Sequence, residues 1–508
     1  MTHAIKKINL HLIQATCTAF LFLYSMRKII WYCCFVLCIP SGFTQSCKYL
    51  AFKYNTDPVR DKICASALIE DLKELKERLY EIHPDLHRYT MASALDSAFL
   101  QAIDRCSTDK TLLEFTQILN DYLQELRDSH TFFNVRELLS YSRFSRHYLP
   151  FMLHPINDKV FVVKSWKSII PTGSELLAFN KIEPRYFRQT AMDFTPIEAH
   201  ANHAKKELSI NVFCGLSNLQ TIKKRAEVDY VYKGDTVHKE VSRPRLRKAF
   251  NSTDFLGEEA KITYNNFGKK GVLSISSFSP TTLNSFKKRM DEVFKDIEMD
   301  SIESLAIDLR NNTGGYILLQ EYLMSFLVPE GIKYSNYYVY KRSNYDRFEQ
   351  LSKVQKWRFR RTARRYYPNG AIAREWDFYN SPKGTIDTVF NDPILLNKNR
   401  RSFSGKCTLF INGMSMSASA NFAAWFAAID RGVIVGTPAS GTYTGTFANP
   451  VTIYLNNTAL PVMISTMKVN AFDDPTSNKS IEPSVLLTPT ISDIQAGKDI
   501  HLSYFLTH

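Results

Sequence analysis

Acidic residues are missing from the first 48 positions, and the two apolar stretches there, Leu10 to Tyr24 and Ile29 to Phe43, are each about 15 residues long. A membrane-spanning helix needs roughly 20. Cysteine is sparse, at nine in 508 residues, and Cys17, Cys33, Cys34, Cys38, Cys47, Cys64, Cys106, Cys214 and Cys407 show no metal-ligand spacing. That excludes a cysteine-built zinc or iron–sulfur centre. No internal repeat or low-complexity segment occurs, so solenoid and fibrous architectures are excluded as well. With 44% hydrophobic and 22% charged residues the chain is globular, with room for two or three domains.

The formal charge of +14 invites a nucleic-acid reading, but it is concentrated in two places. Residues 1–48 carry five Lys/Arg, and residues 333–365 carry eleven against only Asp346 and Glu349, so the remaining chain is balanced. A basic insert of this kind suits a solvated helix or a flap over a cleft better than a phosphate-binding surface, and no nucleic-acid partner is expected. Between the two amino-terminal apolar stretches sits Met26-Arg27-Lys28, followed by IIWYCCFVLCIP and the polar exit SGFTQS. A basic region, an apolar region and a small-residue exit make a secretory signal within residues 1–46 if translation begins at Met26. An anchor through the first stretch is the rival reading. Lipidation at Cys47 is a lesser one, since FTQS lacks the usual preceding leucine and small residues.

The rest of the chain divides by its periodicity. SALIEDLKELKERLYEIHP sets Leu68, Leu72, Leu75 and Leu79 at helical spacing, and TLLEFTQILNDYLQELRD repeats the pattern, giving a helical segment over 62–135. Over 145–245 short β-like runs dominate, such as KVFVVKSW and AEVDYVYKG. From 253 to 505 strands and helices alternate: KKGVLSISSF, TLNSFKKRMDEVFKDIE, SLAIDLRNNTGG, ILLQEYLMSFLV, then onward through Ser417. That alternation is the signature of an α/β fold on a mainly parallel sheet, within an α+β multi-domain chain, and its sites belong at the carboxyl ends of strands. Both DLRNNTGG and INGMSMSAS fall at such ends.

The second of these carries chemistry. An apolar strand, a Gly/Ser turn and an Ala-rich helix present Ser417 beside unpaired amides at the helix start, so an attacking Oγ and oxyanion donors come from one segment. A serine hydroxyl needs a base. No lysine follows in the glycine turn GTPASGTYTG, where Thr442 and Thr444 stand, and the nearest downstream is Lys468. Among twelve histidines, His130 stands apart, closing the second helix in LRDSHTFF between Ser129 and Thr131. A satisfied structural histidine is the plain alternative. Gly314 and Gly315 permit close approach of backbone to a ligand, and one of their amides with that of Ala418 would form an oxyanion hole. Asp308 and Arg310 fix the turn.

Taken in order, these segments resemble the serine peptidases related to C-terminal-processing (tail-specific) protease and to the tricorn core protease, over about residues 66–505. ERLYEIHPDLHRY is similar to the amino-terminal segment of bacterial exported members, and LRDSHT to a D-x-H-T motif. IIPTGSELLAFNKIEP is similar to a PDZ-like stretch, AIDLRNNTGG to D-L-R-x-N-x-G-G, SMSASANF with VIVGTP to the nucleophile segment, and SIEPSVLLTPTISDIQAGKDIHL to the closing stretch. The resemblance implies a ClpP/crotonase-like parallel-sheet core and a small PDZ-like module. It makes Ser417 the nucleophile, His130 the general base, Ser129 the residue that orients it, and Ala418 with Gly314 or Gly315 the oxyanion donors. The missing lysine places the chain with the histidine-using, tricorn-like branch.

Three positions depart from the family. Ala420 stands where many members carry glutamate, Ser480 and Ser484 replace Gly and Asp, and Ser477 falls where the tricorn-like branch has its orienting glutamate. The expected acid is therefore Asp474 or Glu482, with Asp473 also near. The activity implied is that of an exported serine endopeptidase acting on polypeptides, periplasmic or cell-surface, without metal or cofactor, and touching a membrane only through its signal or anchor. An inactive relative that binds peptides or apolar ligands in the same cleft is the alternative.

Overall fold

The computed structural model describes residues 56–134, 137–138, 150–156, 159–219, 224–243, 261–280, 282–328, 337–345, 352–357, 361, 381–390, 402–470 and 478–508. The expected targeting region, Cys47, Asp473, Asp474, Ser477 and most of the basic stretch 333–365 lie outside them. Every contact below belongs to the unit Asp57–His508.

The amino-terminal helices are α1 (Ala65–Ile82), α2 (Ala92–Arg105) and α3 (Leu112–Gln124). In α1 the four leucines at helical spacing are completely buried. Helix α3 begins at a reciprocal capping box between Thr111 and Glu114, which satisfies two otherwise orphaned amides. It ends at Gln124, so His130 lies in the turn beyond it and not at the helix terminus. Strand β1 (Phe132–Phe133) follows that turn.

Next come β2 (Phe151–Ile156), β3 (Lys159–Ser165), β4 (Glu175–Phe179), α4 (Pro184–Asp193), α5 (Asn202–Leu219), β5 (Arg225–Tyr232) and β6 (Asp235–Ser242). The strands form one antiparallel sheet in sequence order. KVFVVKS and RAEVDYVY are strands as expected, but the region is not β throughout, because two helices interrupt it. The sequence of α5, NHAKKELSINVFCGLSNL, mixes β-branched, Asn, Gly and Ser residues, so local propensity speaks weakly for a helix and tertiary packing decides.

The core comprises β7 (Ile262–Phe267), β8 (Lys270–Ile275), α6 (Leu283–Met299), β9 (Ser304–Asp308), α7 (Ile317–Met324), β10 (Tyr337–Lys341), β11 (Ile386–Phe390), β12 (Lys406–Ile411), α8 (Ala418–Ala428) and β13 (Gly432–Gly436). Strands β14 (Phe447–Ala448), β15 (Val451–Tyr454), β16 (Pro461–Ile464), β17 (Met467–Asn470) and β18 (Val485–Leu486) precede α9 (Ile491–Gln495) and α10 (Ile500–Thr507). The main sheet runs β18-β13-β12-β9-β8-β7, parallel except for β7, which is antiparallel to β8.

Alternation along the strands separates two apolar layers. Cys407, Leu409 and Ile411 of β12, with Leu305 and Ile307 of β9, face a core shared with α6, α7 and α8. Phe410, Ala306, Val272 and Val435 face the other way, onto Phe505 of α10. Cys407 is a buried core thiol, its pKa pushed up to about 12 by burial. Helix α8 is buried from Ala418 through Phe426, mostly apolar with Ser419 and Asn421 as its buried polar residues, and is fixed in place by the core. Burying Phe422, Trp425 and Phe426 contributes about 2–3 kcal/mol each. Such a helix holds the residue at its mouth still.

Candidate active site

Ser417 caps α8 with φ 55° and ψ −122°, a region that non-glycine residues rarely enter. The strain is held by the turn before it. Ser415 Oγ donates to the Leu309 carbonyl at 2.8 Å, Met416 N donates to the Asn312 carbonyl at 3.3 Å, and the Asn311 and Asn412 side chains bond across the two turns. From the other side Glu207 of α5 accepts from Gly413 N at 3.1 Å and from Thr437 Oγ1 at 2.7 Å. Ala201, Ala204 and Leu208 pack on Met414 and Met416.

The glycine pair abuts the serine. A Cβ on Gly314, whose φ is +96°, would lie 2.8 Å from Ser417 Cβ and 2.9 Å from Ala418 N. Only glycine fits. Its amide, however, donates to Asn312 Oδ1 at 2.9 Å and is already used. Among the described residues the amides of Gly315 and Ala418 have no acceptor. Gly315 is therefore the fitting oxyanion donor of the pair, and Gly314 is the spacer that brings it up.

His130 Nε2 lies 3.1 Å from Ser417 Oγ. Its position follows from Asp128, a buried residue whose Oδ1 accepts from His130 N at 2.7 Å. Asp128 Oδ2 meets His83 Nε2 at 3.1 Å and accepts from Thr131 Oγ1 at 2.5 Å and Ser465 Oγ at 2.6 Å. Pairing of Phe132 and Phe133 with β16 then ties the turn to the core.

Of the two acids expected to steady His130, Glu482 does not reach it among the described residues. Asp474 lies outside the described residues, and Glu482 is exposed, its backbone amide engaging the Tyr443 hydroxyl at 3.3 Å. The carboxylate is Glu198, completely buried between α4 and α5. Ser129 Oγ donates to Glu198 Oε2 at 2.7 Å and meets His130 Nδ1 at 3.0 Å. The proton directions follow from the acceptor-only carboxylate. Ser129 gives its proton to Glu198, so its oxygen accepts Nδ1–H, and the Nε2 lone pair is left facing the Ser417 hydroxyl. Sequence reasoning passed over Glu198 because the 145–245 region carried no catalytic motif. The available signal was one acid in the apolar run FTPIEAHA, since a buried charge needs partners.

Burial, then the neighbouring charge of Asp128, pushes the Glu198 carboxyl up to about 7, against the opposing pull of Arg88 and its hydrogen bonds. Burial lowers the His130 pKa and Asp128 partly offsets it, which favours the neutral base. For Asp128, burial alone would raise the pKa, but His83, His130 and the Ser465 hydroxyl outweigh it and hold the carboxyl below its usual value.

Asp128, His130 and Glu198 bring one ligating atom each within 4.8 Å. Both Asp128 oxygens and Glu198 Oε2 are already filled by the donors above, so a cation would have to displace the network. Lys468 is no base for Ser417, because its ammonium pairs with Asp85 Oδ2 at 2.6 Å. Thr442 is buried and bonded to Gly445 O and Thr444 Oγ1. A Cβ on Gly441 would lie 2.4 Å from Ala420 Cβ, so the glycine turn packs closely on position 420, which is fully buried. A cavity of about 660 Å³ opens among His200, Tyr443, Asn478, Lys479, Ser480 and Glu482. Backbone bridges Thr442–Ser480 and Ser440–Met416 connect its lining to the nucleophile turn.

Residues 269–487 match the model of peptidase family S41. The matched segment is thus S41-like. The chain is a serine peptidase. A similar fold is seen in the solved structure of mature CPAF complexed with lactacystin, 16% identical, covering 87% of this chain and 97% of that one with a TM-score of 0.59. Mature CPAF is 16% identical over 87% of this chain and 96% of that chain, TM-score 0.59. The photosystem II D1 C-terminal processing protease is 12% identical, covering 85% and 96%, with a TM-score of 0.41. No match to a curated protein was found. His130, Ser129 and Glu198 all precede the matched segment, which holds Ser417, Ala418 and the two glycines.

Proposed function

We propose that this chain is an exported serine endopeptidase of the histidine-using, tricorn-like branch, working through an acyl-enzyme at Ser417. The observation that carries the reading is the unbroken chain from Glu198 through Ser129 and His130 to Ser417 Oγ. Ser417 attacks the scissile carbonyl while His130 Nε2 takes its proton, and the resulting oxyanion is received by the amides of Ala418 and Gly315. His130 then protonates the leaving amine as the tetrahedral species collapses to the ester. Water, deprotonated by the same nitrogen, hydrolyses the ester and restores Ser417. Ser129 and Glu198 hold the imidazole in the tautomer this needs.

Peptide is presented by the PDZ-like sheet of 151–242, a role supported by the grip of Glu207 on the nucleophile turn. The cavity beside Tyr443 and Lys479 takes a substrate side chain. Export rests on the basic and apolar pattern of residues 26–46.

A fluorophosphonate probe tests the mechanism. The protein should be tagged at Ser417, Ser417→Ala should abolish tagging, and His130→Ala should slow it by about 10³-fold or more. A well-folded wild type that is never tagged would sink the reading. Export is checked by fractionating cells and sequencing the mature amino terminus.

A further inference from the structure

The segment His83–Tyr89, HPDLHRY, which follows α1, has no part in the reaction as described so far. In space it grips both buried acids. His83 Nε2 meets Asp128 Oδ2 at 3.1 Å, and Tyr89 Oη donates to Glu198 Oε1 at 2.9 Å. The Tyr89 ring stands edge-on to Phe447 at 5.8 Å, and the Arg88 guanidinium lies 5.0 Å from that ring while donating to Thr444 O and Oγ1.

Glu198 has four donors. Oε2 receives Ser129 N and Ser129 Oγ, and Oε1 receives Phe447 N at 3.2 Å and the Tyr89 hydroxyl. Tyr89 is thus the side-chain donor on the oxygen turned away from the relay. Resting on the peptidase reading above, we propose that Tyr89 is a positioning residue, whose hydroxyl keeps Glu198 ionised and its other oxygen turned onto Ser129. Without that donor Oε1 keeps a single amide, and a proton can settle there. A protonated Glu198 loses most of its pull on the Ser129 hydroxyl, and the His130 tautomer is no longer fixed. The phenol itself stays protonated, because burial and then the Glu198 charge raise its pKa well above the usual value.

The ionisable groups facing Glu198 are Arg88 and Tyr89 from this segment, and Asp128 and His130 from the turn after α3. Arg88 favours the ionised carboxylate and Asp128 opposes it. Since the Glu198 carboxyl sits at about 7, the relay is lost as pH falls through that value, and removal of a donor moves the loss to higher pH.

The test is the pH dependence of fluorophosphonate labelling of the full chain. In Tyr89→Phe, which keeps the ring on Phe447, the acid limb should move up by about one pH unit. Labelling should fall about fivefold at pH 7, and the deficit should shrink toward pH 9. In Glu198→Gln the limb set by this carboxyl should vanish, and adding Tyr89→Phe should then move nothing. A limb unchanged in Tyr89→Phe, or a loss equal at every pH, overturns the proposal. A wild type that takes no label overturns the peptidase reading instead, so the two failures are told apart.

Discussion

Ser129 Oγ and Glu198 Oε2 stand 2.7 Å apart although 69 positions separate them in the chain. Ser129 thereby links the His130 imidazole to a buried carboxylate, the relay proposed above. Replacing Glu198 by Gln keeps the shape and removes the charge, and should lower kcat by on the order of 10²–10⁴-fold with little change in KM. Steady-state peptide hydrolysis at pH 8 measures it, and a loss under threefold would remove Glu198 from the relay.

The same carboxyl should cost stability at neutral pH. Its pKa is raised from 4.5 to about 7, so the folded state holds a proton that the unfolded state releases. Its stabilising contribution is complete below pH 4.5 and is lost as pH rises through about 7, amounting to about 3 kcal/mol at most. Urea unfolding of wild type and Glu198→Gln from pH 4.5 to 8 isolates the effect. The difference between the two proteins should shift toward the variant as pH rises.

Asp128 carries the opposite sign. Its lowered pKa means that stability gained above the ordinary carboxylate range is lost as pH falls below it. Asp128→Ala leaves His130 N, Thr131 Oγ1 and Ser465 Oγ without their acceptor and should destabilise the fold by about 3–5 kcal/mol. A denaturant midpoint within error of wild type would contradict this.

Gly314→Ala places a methyl 2.8 Å from Ser417 Cβ at a φ of +96°. Strain of about 1–3 kcal/mol should appear as a lower Tm, together with a loss of labelling at Ser417 larger than the stability change explains. Labelling at the wild-type rate would show that the turn yields freely.

Lys468→Ala should leave labelling within a fewfold of wild type, since the ammonium is spent on Asp85. A drop of 10³-fold in a folded variant would move the base from His130 to lysine.

The core was legible because its alternation is strong. Leu305, Ile307, Leu409 and Ile411 announce strands, and the Asn and Gly residues after them announce turns at one end of a parallel sheet. Ser417 and His130 were legible for a different reason, since each sits in a short motif whose residue types fit one chemistry. Glu198 carried no such mark. It reaches Ser129 only through the placing of α4 and α5, elements whose mixed sequences hid them among β-like runs. The same holds for Gly314 and Gly315, where spacing alone allowed either amide and the Asn312 side chain settles which is free.

The parts of the site are made at very different times. Tyr89, Ser129, His130 and Glu198 leave the ribosome first, and Ser417 and the Phe447 amide that braces Glu198 follow much later. A nascent chain therefore has its base and acid without a nucleophile, and a truncated product has no cutting edge at all. Late arrival of the serine acts as a safety catch. A chain that stops short of residue 417 carries the imidazole and the carboxylate with no hydroxyl for them to act on.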